Sequence, residues 1–345
     1  MSDNNGENVT ENTNENPSSS IDTVMQETRL FPPTDSFLEG CEIGSLDAYE
    51  ALYDRAKADP VAFWEDLARN ELHWFEDFHT TLNWNVPNAE WFVGGKTNVS
   101  YNCLDRNLEN NADKTALIWE GEPGDVRTFT YRELHSEVSR LANAFKKAGV
   151  EQGDVVSIYM PMVPELAFAM LACARIGAVH SVIFAGFSAE SIADRNNDAS
   201  AKVQLTADGA YRRGKVLDLK KIVDEALEKS PTVETCIVLA RTDTAVEMRE
   251  GRDLWWHDLL EQVDDDCPAT PLDSEAPLFI LYTSGSTGKP KGIKHTTAGY
   301  NLYAKKSFEW VFDIRDDDIF WCTADCGWIT GHTYVAYGPL CAGAT

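Results

Sequence analysis

The sequence predicts an α/β protein built on mostly parallel sheets that are flanked by helices. From Thr128 onward, short apolar runs of strand length alternate with segments of helical periodicity. One such strand, Leu278–Tyr282, runs directly into a loop rich in glycine and hydroxyl side chains. Strands that alternate with helices pair in parallel, and their ligands bind beyond the carboxyl ends of the strands. The segments that follow strands are therefore the candidates for a functional site.

Capping residues and apolar periodicity set the limits of the predicted elements. Thr130 and Glu133 form a capping box at the start of a helix, and Gly149 is typical of the end of that helix. The further predicted elements are, in order, the strand Val155–Tyr159, the helix Pro164–Ile176, the strand Val179–Phe184, the helix Ser188–Asn197, the strand Lys202–Leu205, the helix Leu217–Leu227 and the strand Cys236–Leu239.

The chain divides into three predicted parts. Residues 1–40 are expected to form a disordered tail, because residues 1–20 contain six Asn, three Glu, one Asp and no Lys or Arg. Residues 41–110 are expected to form a helical, aromatic segment that caps a larger domain. An aromatic stripe is more often core than ligand site, so no site is assigned there. Residues 111–345 form the α/β domain.

The acidic composition argues against two classes of partner. The chain has 56 Asp and Glu against 30 Lys and Arg, which gives a net charge of −26. Such a surface repels nucleic-acid phosphates and anionic lipid, so neither nucleic acid nor a membrane is expected as a partner. The charge favours adaptation to a salty, halophilic medium, and an ordinary acidic enzyme is the alternative.

The cysteines and the amino terminus predict a cytoplasmic protein. None of the eight cysteines forms a CxxC pair, and several lie in apolar runs, as buried reduced thiols do. Cys322 and Cys326 lack two further ligands for a zinc site, so no metal site is predicted. The Asn-rich start has no apolar core of a signal peptide.

The loop after the strand Leu278–Tyr282 predicts a phosphate site. Three glycines, two lysines and four hydroxyl side chains occur between Thr283 and Gly292. Free backbone N–H groups, hydroxyls and lysines are the donors that phosphate oxygens need. A Walker loop is excluded, because Thr283 stands where its first glycine would be and Pro290 follows Lys289. A Ser/Gly linker is the alternative. The predicted phosphate ligands are Thr283, Ser284, Gly285, Ser286, Thr287, Gly288 and Lys289.

Longer segments resemble one family of enzymes. Tyr282–Lys291 resembles the signature loop of the adenylate-forming superfamily, whose members activate a carboxylate with ATP. The similarity to the acetyl-CoA synthetase family, the AMP-forming acetate–CoA ligases, extends from about residue 40 to residue 345. The segments that carry it are Trp91–Cys103, Phe184–Ser188, Gly251–Trp256 and Trp321–His332. Asn196, Gln204 and Lys294 depart from the apolar residues usual in the family.

The resemblance implies roles for individual residues. Thr283–Lys289 would hold the phosphates of ATP and pyrophosphate, and Ile329 with Thr330 would line the acetate pocket. Thr330 would also lie near the thiol end of CoA. The basic segment Arg212–Lys215 would meet the phosphates of CoA, although the family more often has Arg at the position of Lys215. Taken alone, this segment also fits a solvated charge cluster. The implied CoA-binding residues are Gly186, Arg212, Arg213, Gly214, Lys215 and Thr330.

The resemblance also implies what lies outside this sequence. This chain would be a truncated large amino-terminal domain of the adenylate-forming fold, with residues 111–345 as a partial AMP-binding domain. The mobile carboxyl-terminal domain with its catalytic lysine would be absent, so no catalytic residue is assigned. The protein ligand of the Mg²⁺ that accompanies ATP is expected in that later region.

The predicted function is acetate–CoA ligase (AMP-forming), with ATP, acetate and CoA as substrates. The isolated chain is expected to be inactive and to need a separately encoded carboxyl-terminal half. Two alternatives stay open: a propionate–CoA ligase, although the branched side chain of Ile329 favours acetate, and a non-catalytic fragment that binds nucleotide or CoA.

Overall fold

The computed structural model describes residues 29–283 and 290–345, and this part of the chain has the predicted α/β architecture. The helices in the described residues are α1 (Asp35–Leu38), α2 (Leu46–Ala58), α3 (Pro60–Glu71), α4 (Val99–Cys103), α5 (Leu108–Asn111), α6 (Tyr131–Lys147), α7 (Pro164–Ile176), α8 (Ala189–Ala199), α9 (Leu219–Leu227), α10 (Trp256–Leu260), α11 (Thr297–Phe312), α12 (Ile329–Gly331) and α13 (Gly338–Cys341). A 3₁₀ turn spans Asp105–Asn107, and a π-helical turn, His332–Tyr337, joins α12 to α13.

The strands form one large sheet and four small ones within the described residues. The strands are β1 (Thr80–Asn85), β2 (Asn88–Val93), β3 (Lys96–Thr97), β4 (Thr115–Glu120), β5 (Val126–Thr130), β6 (Val155–Tyr159), β7 (Val179–Val182), β8 (Val203–Ala207), β9 (Ala210–Arg212), β10 (Lys215–Leu217), β11 (Thr235–Leu239), β12 (Asp253–Trp255), β13 (Leu272–Asp273), β14 (Pro277–Thr283) and β15 (Lys291–Thr296).

The large sheet is parallel except at one edge. Its strand order is β12-β11-β8-β6-β7-β14-β15. Neighbouring strands from β12 to β14 run parallel, and β15 pairs with β14 in antiparallel register. The carboxyl ends of β6, β7, β8, β11, β12 and β14 therefore lie at one edge of the sheet, which we call the carboxyl edge.

Side chains of the sheet pack into an apolar core on each of its two faces. In β11, Ile237 belongs to the larger apolar cluster, whereas Cys236 and Val238 belong to the second one. Since successive side chains of a strand point to opposite faces, this alternation shows that both faces are covered. Helix α7 is buried along all of its length between α6 and the sheet. Parallel sheets need this cover, because the side chains on both of their faces are mostly apolar.

Helix limits follow the predicted caps. The Thr130 hydroxyl accepts from the Glu133 N–H, and the Glu133 carboxylate accepts from the Thr130 N–H, so the capping box at the start of α6 is confirmed. The strand β6 and the helix α7 have the predicted limits. Ser188 caps α8 with its hydroxyl instead of opening the helix.

The predicted end of strand β7 and the predicted start of helix α9 were wrong. Strand β7 ends at Val182 and not at Phe184, because Phe184 accepts from the Phe187 N–H in a turn. Helix α9 starts at Leu219 and not at Leu217, because Leu217 pairs with Ala210 in the hairpin β9–β10. The ends of β8, β11 and β14 differ from prediction by one or two residues.

The amino-terminal helices and the hairpin β1–β2 are joined to the α/β part by buried polar contacts. The Asn98 amide donates to the carbonyl oxygens of Ala174 and Thr270 at 2.8 and 2.9 Å. Strand β3 also pairs with β13, which directly precedes β14 along the chain. In the described residues, no helix has the length and apolar character to cross a membrane.

Candidate functional site at the carboxyl edge

Three of the predicted site segments begin where parallel strands end. Gly186 follows β7, Arg212 follows β8, and Thr283 is the last residue of β14. These strands belong to the parallel part of one sheet, so the three segments leave it at the carboxyl edge. This is the edge at which open α/β sheets bind their ligands.

The predicted phosphate loop lies mostly outside the described residues, which exclude residues 284–289. Thr283 is exposed and pairs with Lys291, so β14 and β15 meet at the base of the loop. The Tyr282 hydroxyl donates to the Asp198 carboxylate at 2.7 Å, which ties this base to α8. Burial raises the pKa of Tyr282, and the carboxylate of Asp198 raises it further. Tyr282 therefore remains a protonated donor.

Phe184 joins the predicted CoA-binding residues Gly186 and Arg212. The guanidinium of Arg212 lies 5.1 Å from the centroid of the Phe184 ring. A Cβ atom on Gly186 would lie 2.5 Å from Cε1 of Phe184 and 2.9 Å from Nη1 of Arg212. Only a residue without a side chain lets the backbone pass this close to the Arg212 cation.

The turn before α12 packs on the same aromatic group. The Trp328 ring lies 5.1 Å from Phe184 and 6.2 Å from Phe187, between centroids. The Gly327 N–H donates to Asp325 Oδ1 at 2.7 Å. Burial raises the pKa of Asp325, while the Gly327 N–H and the nearby Arg212 cation oppose that rise. Arg212 and the Asp325–Trp328 turn are therefore neighbours.

The segment Ala210–Leu217 is a hairpin with a two-residue turn. Arg212 pairs with Lys215, and the turn residues Arg213 and Gly214 have φ angles of 53° and 72°. Two consecutive residues of positive φ form a tight hairpin turn, and the second position of such a turn favours glycine. At its tip the N–H groups of Arg213 and Gly214 take no part in the strand pairing, and both donate to a carboxylate described below.

A buried carboxylate anchors the base of this hairpin. Asp208 is 1% exposed and accepts from the N–H groups of Gly209, Arg241, Thr242 and Thr244 at 2.6–3.2 Å. A buried charge needs such a set of donors, because an unpaired carboxylate is costly away from water. Asp208 thereby fixes the hairpin to the segment that follows β11.

A cavity of about 500 Å³ lies beside Ile329 and Thr330, the residues predicted to line the acetate pocket. Ile329 lines it, together with aromatic side chains from the amino-terminal part and from α11. Thr330 is exposed next to it. The sequence predicts no site at the amino-terminal aromatic residues, yet Trp64, Trp91 and Phe92 form one wall of this cavity. The other lining residues include His295, Tyr300 and Thr333.

His332 lies buried behind this cavity as a neutral side chain. Its Nδ1 donates to the carbonyl oxygen of Trp328 at 3.1 Å, and its Nε2 has no partner among the described residues. Burial lowers the pKa of His332 to about 4. Its ring stacks on His180 at 5.3 Å and lies 4.4 Å from Phe279.

Two acidic residues at the carboxyl edge were not predicted from the sequence, namely Asp208 and Glu122. Asp208 bonds to residues more than 30 positions away, and Glu122 to residues 91 and 92 positions away. Neither lies in a motif, so periodicity and spacing could not identify them. A carboxylate directly after a buried strand, as at Asp208, is the weak signal that was available.

Comparison with known proteins identifies the family. Residues 104–345 match the family described as AMP-binding enzyme, and residues 49–103 match the acetyl-coenzyme A synthetase N-terminus. The chain is 62% identical over 337 residues to the acetyl-coenzyme A synthetase of Rhodopirellula baltica, covering 96% of this chain and 50% of that protein. It is 55% identical over 338 residues to that of Chlorobaculum tepidum, covering 98% of this chain and 51% of that protein.

The chain spans about half the length of the curated relatives it matches. A third, the acetyl-coenzyme A synthetase of Deinococcus radiodurans, is 52% identical over 331 residues, covering 95% of this chain and 51% of that protein. The chain therefore belongs to the AMP-binding enzyme family and corresponds to the amino-terminal portion of its acetyl-coenzyme A synthetase members.

Proposed function

We propose that this chain supplies the ATP-phosphate and CoA sites of an acetate–CoA ligase (AMP-forming). The observation that carries the proposal is that segments following β7, β8 and β14 leave the sheet at one edge. A reaction that joins a carboxylate, a nucleotide and a thiol needs all three within reach of one centre. The names of the relatives support acetate as the acid.

The reaction has two steps. The acetate carboxylate attacks the α-phosphorus of ATP, which enters as its magnesium complex, and the bond to pyrophosphate breaks. The thiolate of CoA then attacks the carbonyl carbon of acetyl-AMP, and AMP leaves. Neither step needs a side-chain nucleophile, so the protein assists by orienting the reactants and by stabilising charge with fixed donors.

The proposed roles follow the sequence predictions. Thr283–Lys289 would hold the ATP phosphates through N–H groups, hydroxyls and the Lys289 cation. Ile329, at the cavity wall, would limit the length of the acid that can bind, and Thr330 would lie near the incoming thiol. Arg212, Arg213 and Lys215 would meet the CoA phosphates, and Gly186 would let the backbone approach the ligand.

We propose that the isolated chain turns over little and that a carboxyl-terminal half completes the enzyme. The relatives are about twice as long as the matched region, so half of each lies outside the alignment. A cytoplasmic setting is also proposed, since all eight cysteines are free thiols and six of them are buried.

ATP–pyrophosphate exchange tests the first step. We would measure acetate-dependent exchange at high salt for the chain alone and with the second half of the Rhodopirellula baltica relative. The proposal predicts exchange only with the added half, more with acetate than with propionate. Stronger exchange with propionate would move the assignment to that acid.

Variants connect the exchange to the loop. Lys289→Ala should reduce exchange by about 100-fold, the size of loss typical of a donor aimed at developing charge. Lys147→Ala, on the exposed end of α6, is the matched control and should exchange normally. With both halves folded, no exchange would contradict the ligase and favour a fragment that only binds.

A further inference from the structure

The tip of the basic hairpin β9–β10 already holds a carboxylate. Glu122, in the turn between β4 and β5, accepts from the Arg213 N–H at 2.9 Å and from the Gly214 N–H at 2.5 Å. Each oxygen of the carboxylate takes one N–H, so the contact is bidentate. Consecutive N–H groups in a turn of positive φ form a concave donor pair of the kind that binds anions.

The charged side chains around this tip are cations that form no ion pair in the described residues, although Asp325 is a neighbour of Arg212. Arg212, Arg213 and Lys215 are exposed and form no ion pair with any other described residue. The Glu122 carboxylate bonds to the backbone of the turn and not to these cations. In a chain of net charge −26, three unpaired cations in four positions mark a place for an external anion.

The turn that carries Glu122 is held against the hairpin. Asp125 forms an ion pair with Arg241 at 2.9 Å, and the Arg241 guanidinium lies 5.0 Å from both the Trp119 and the Tyr211 rings. Tyr211 belongs to β9, so the same arginine contacts the turn and the hairpin. Glu122 is thus kept within reach of the donor pair.

We propose that Glu122 is an internal competitor that occupies the anion position of the hairpin tip and is displaced by a phosphate group of the ligand. A phosphate carries more charge than a carboxylate, and the three cations favour it. The Glu122 side chain is exposed and can turn to solvent when it leaves. The competitor lowers phosphate affinity and leaves the tip closed until a ligand arrives. The inference rests on the proposed CoA-binding role of this hairpin.

The test is equilibrium binding of adenosine 3′,5′-bisphosphate to the whole chain in about 0.2 M KCl. Glu122→Gln removes the charge and replaces one of the two acceptor oxygens by an amide nitrogen, which is a donor. We expect a roughly two- to fivefold lower Kd, the effect of one exposed charge contact. Glu122→Asp keeps the charge but is one methylene shorter, so it should hold the two N–H groups less closely, and its Kd should fall between the two.

Glu120→Gln is the matched control. Glu120 is exposed at the end of β4 and forms no hydrogen bond or ion pair with the hairpin among the described residues. Its substitution removes the same charge two residues away. Its Kd should equal that of the unchanged chain. An unchanged or higher Kd for Glu122→Gln, or no binding by any form, would overturn the inference. Pyrophosphate exchange needs no CoA, so failure of the proposed function is seen separately in that assay.

Discussion

Gly186 is the residue on which the contact between Phe184 and Arg212 depends. An added Cβ would lie 2.9 Å from the Arg212 guanidinium, so Gly186→Ala must displace that cation or the Phe184 ring. We expect adenosine 3′,5′-bisphosphate to bind roughly three- to tenfold more weakly, with a loss of unfolding free energy of about 1 kcal/mol. Binding calorimetry and denaturant unfolding measure both.

Gly299→Ala is the control for an added methyl group. Its Cβ would meet nothing within 4 Å, and it lies in α11. An alanine in a helix should raise the unfolding free energy by about 0.5–1 kcal/mol. Because Gly299 lines the cavity beside Ile329 and not the hairpin, the binding of adenosine 3′,5′-bisphosphate should be unchanged. Equal binding by both alanine variants would show that Arg212 need not lie against Gly186.

The buried histidines predict a loss of stability in acid. Burial lowers the pKa of His332 to about 4, and it also lowers the pKa of His180 and His295. The unfolded chain binds these protons near pH 6.5 and the folded chain does not. Stability present above pH 6.5 is therefore lost as the pH falls, by up to about 3 kcal/mol for His332.

Urea unfolding between pH 7.5 and 5 measures this effect. His332→Phe keeps a ring beside Phe279 and removes the titrating group. The variant should be less stable at pH 7.5, because the bond to Trp328 is lost, yet its stability should fall less steeply with acid. Identical pH slopes would show that His332 is not the group that titrates.

The pairing of helix α8 with strand β8 shows where sequence analysis stops. Asn196 and Gln204 each stood out as a polar residue at an apolar position of the family. Both are fully buried, and the Asn196 amide donates to the Gln204 side-chain oxygen at 3.0 Å. The Gln204 amide donates in turn to a backbone carbonyl at 2.8 Å. A sequence shows each substitution but not that the two are partners.

This pair predicts a non-additive double substitution. Asn196→Leu alone should cost about 1–3 kcal/mol, because it leaves the Gln204 oxygen buried without a donor. Adding Gln204→Met should recover most of that loss, since both polar groups are then gone. A double-mutant cycle by chemical unfolding measures the coupling, and strictly additive losses would contradict the pairing.

Local signals predicted the elements better than the contacts between them. The capping box of α6 and the apolar runs of β6 and α7 depend on neighbouring residues, and these elements appear where expected. The contact of Glu122 with the hairpin β9–β10 joins residues 91 and 92 positions apart. Such contacts are set by the packing of the sheet, which no local pattern encodes.

The charge of the molecule predicts a dependence on salt. A net charge of −26 repels itself, and raising KCl from 0.1 to 1 M shortens the screening length from about 10 to about 3 Å. The unfolding free energy should therefore rise with KCl. Glu50 and Asp54 are exposed on α2, so their replacement by Lys should stabilise the chain at 0.1 M KCl by up to about 1 kcal/mol.

The comparison of the two salt concentrations is the control. In 1 M KCl, screening should remove most of the difference between the Glu50→Lys/Asp54→Lys variant and the unchanged chain. A gain of the same size at both concentrations would assign it to local helix effects. No rise in stability with KCl would favour an ordinary acidic enzyme over a halophilic one.

Amide hydrogen exchange of the whole chain tests the central claim most directly, namely that the carboxyl edge binds both nucleotide phosphates and CoA. With ATP, exchange should slow in the segment that follows β14. With CoA, it should slow in residues 184–187 and 208–217, which follow β7 and β8. Slowing confined to the opposite edge of the sheet, or no slowing with either ligand, would contradict the claim.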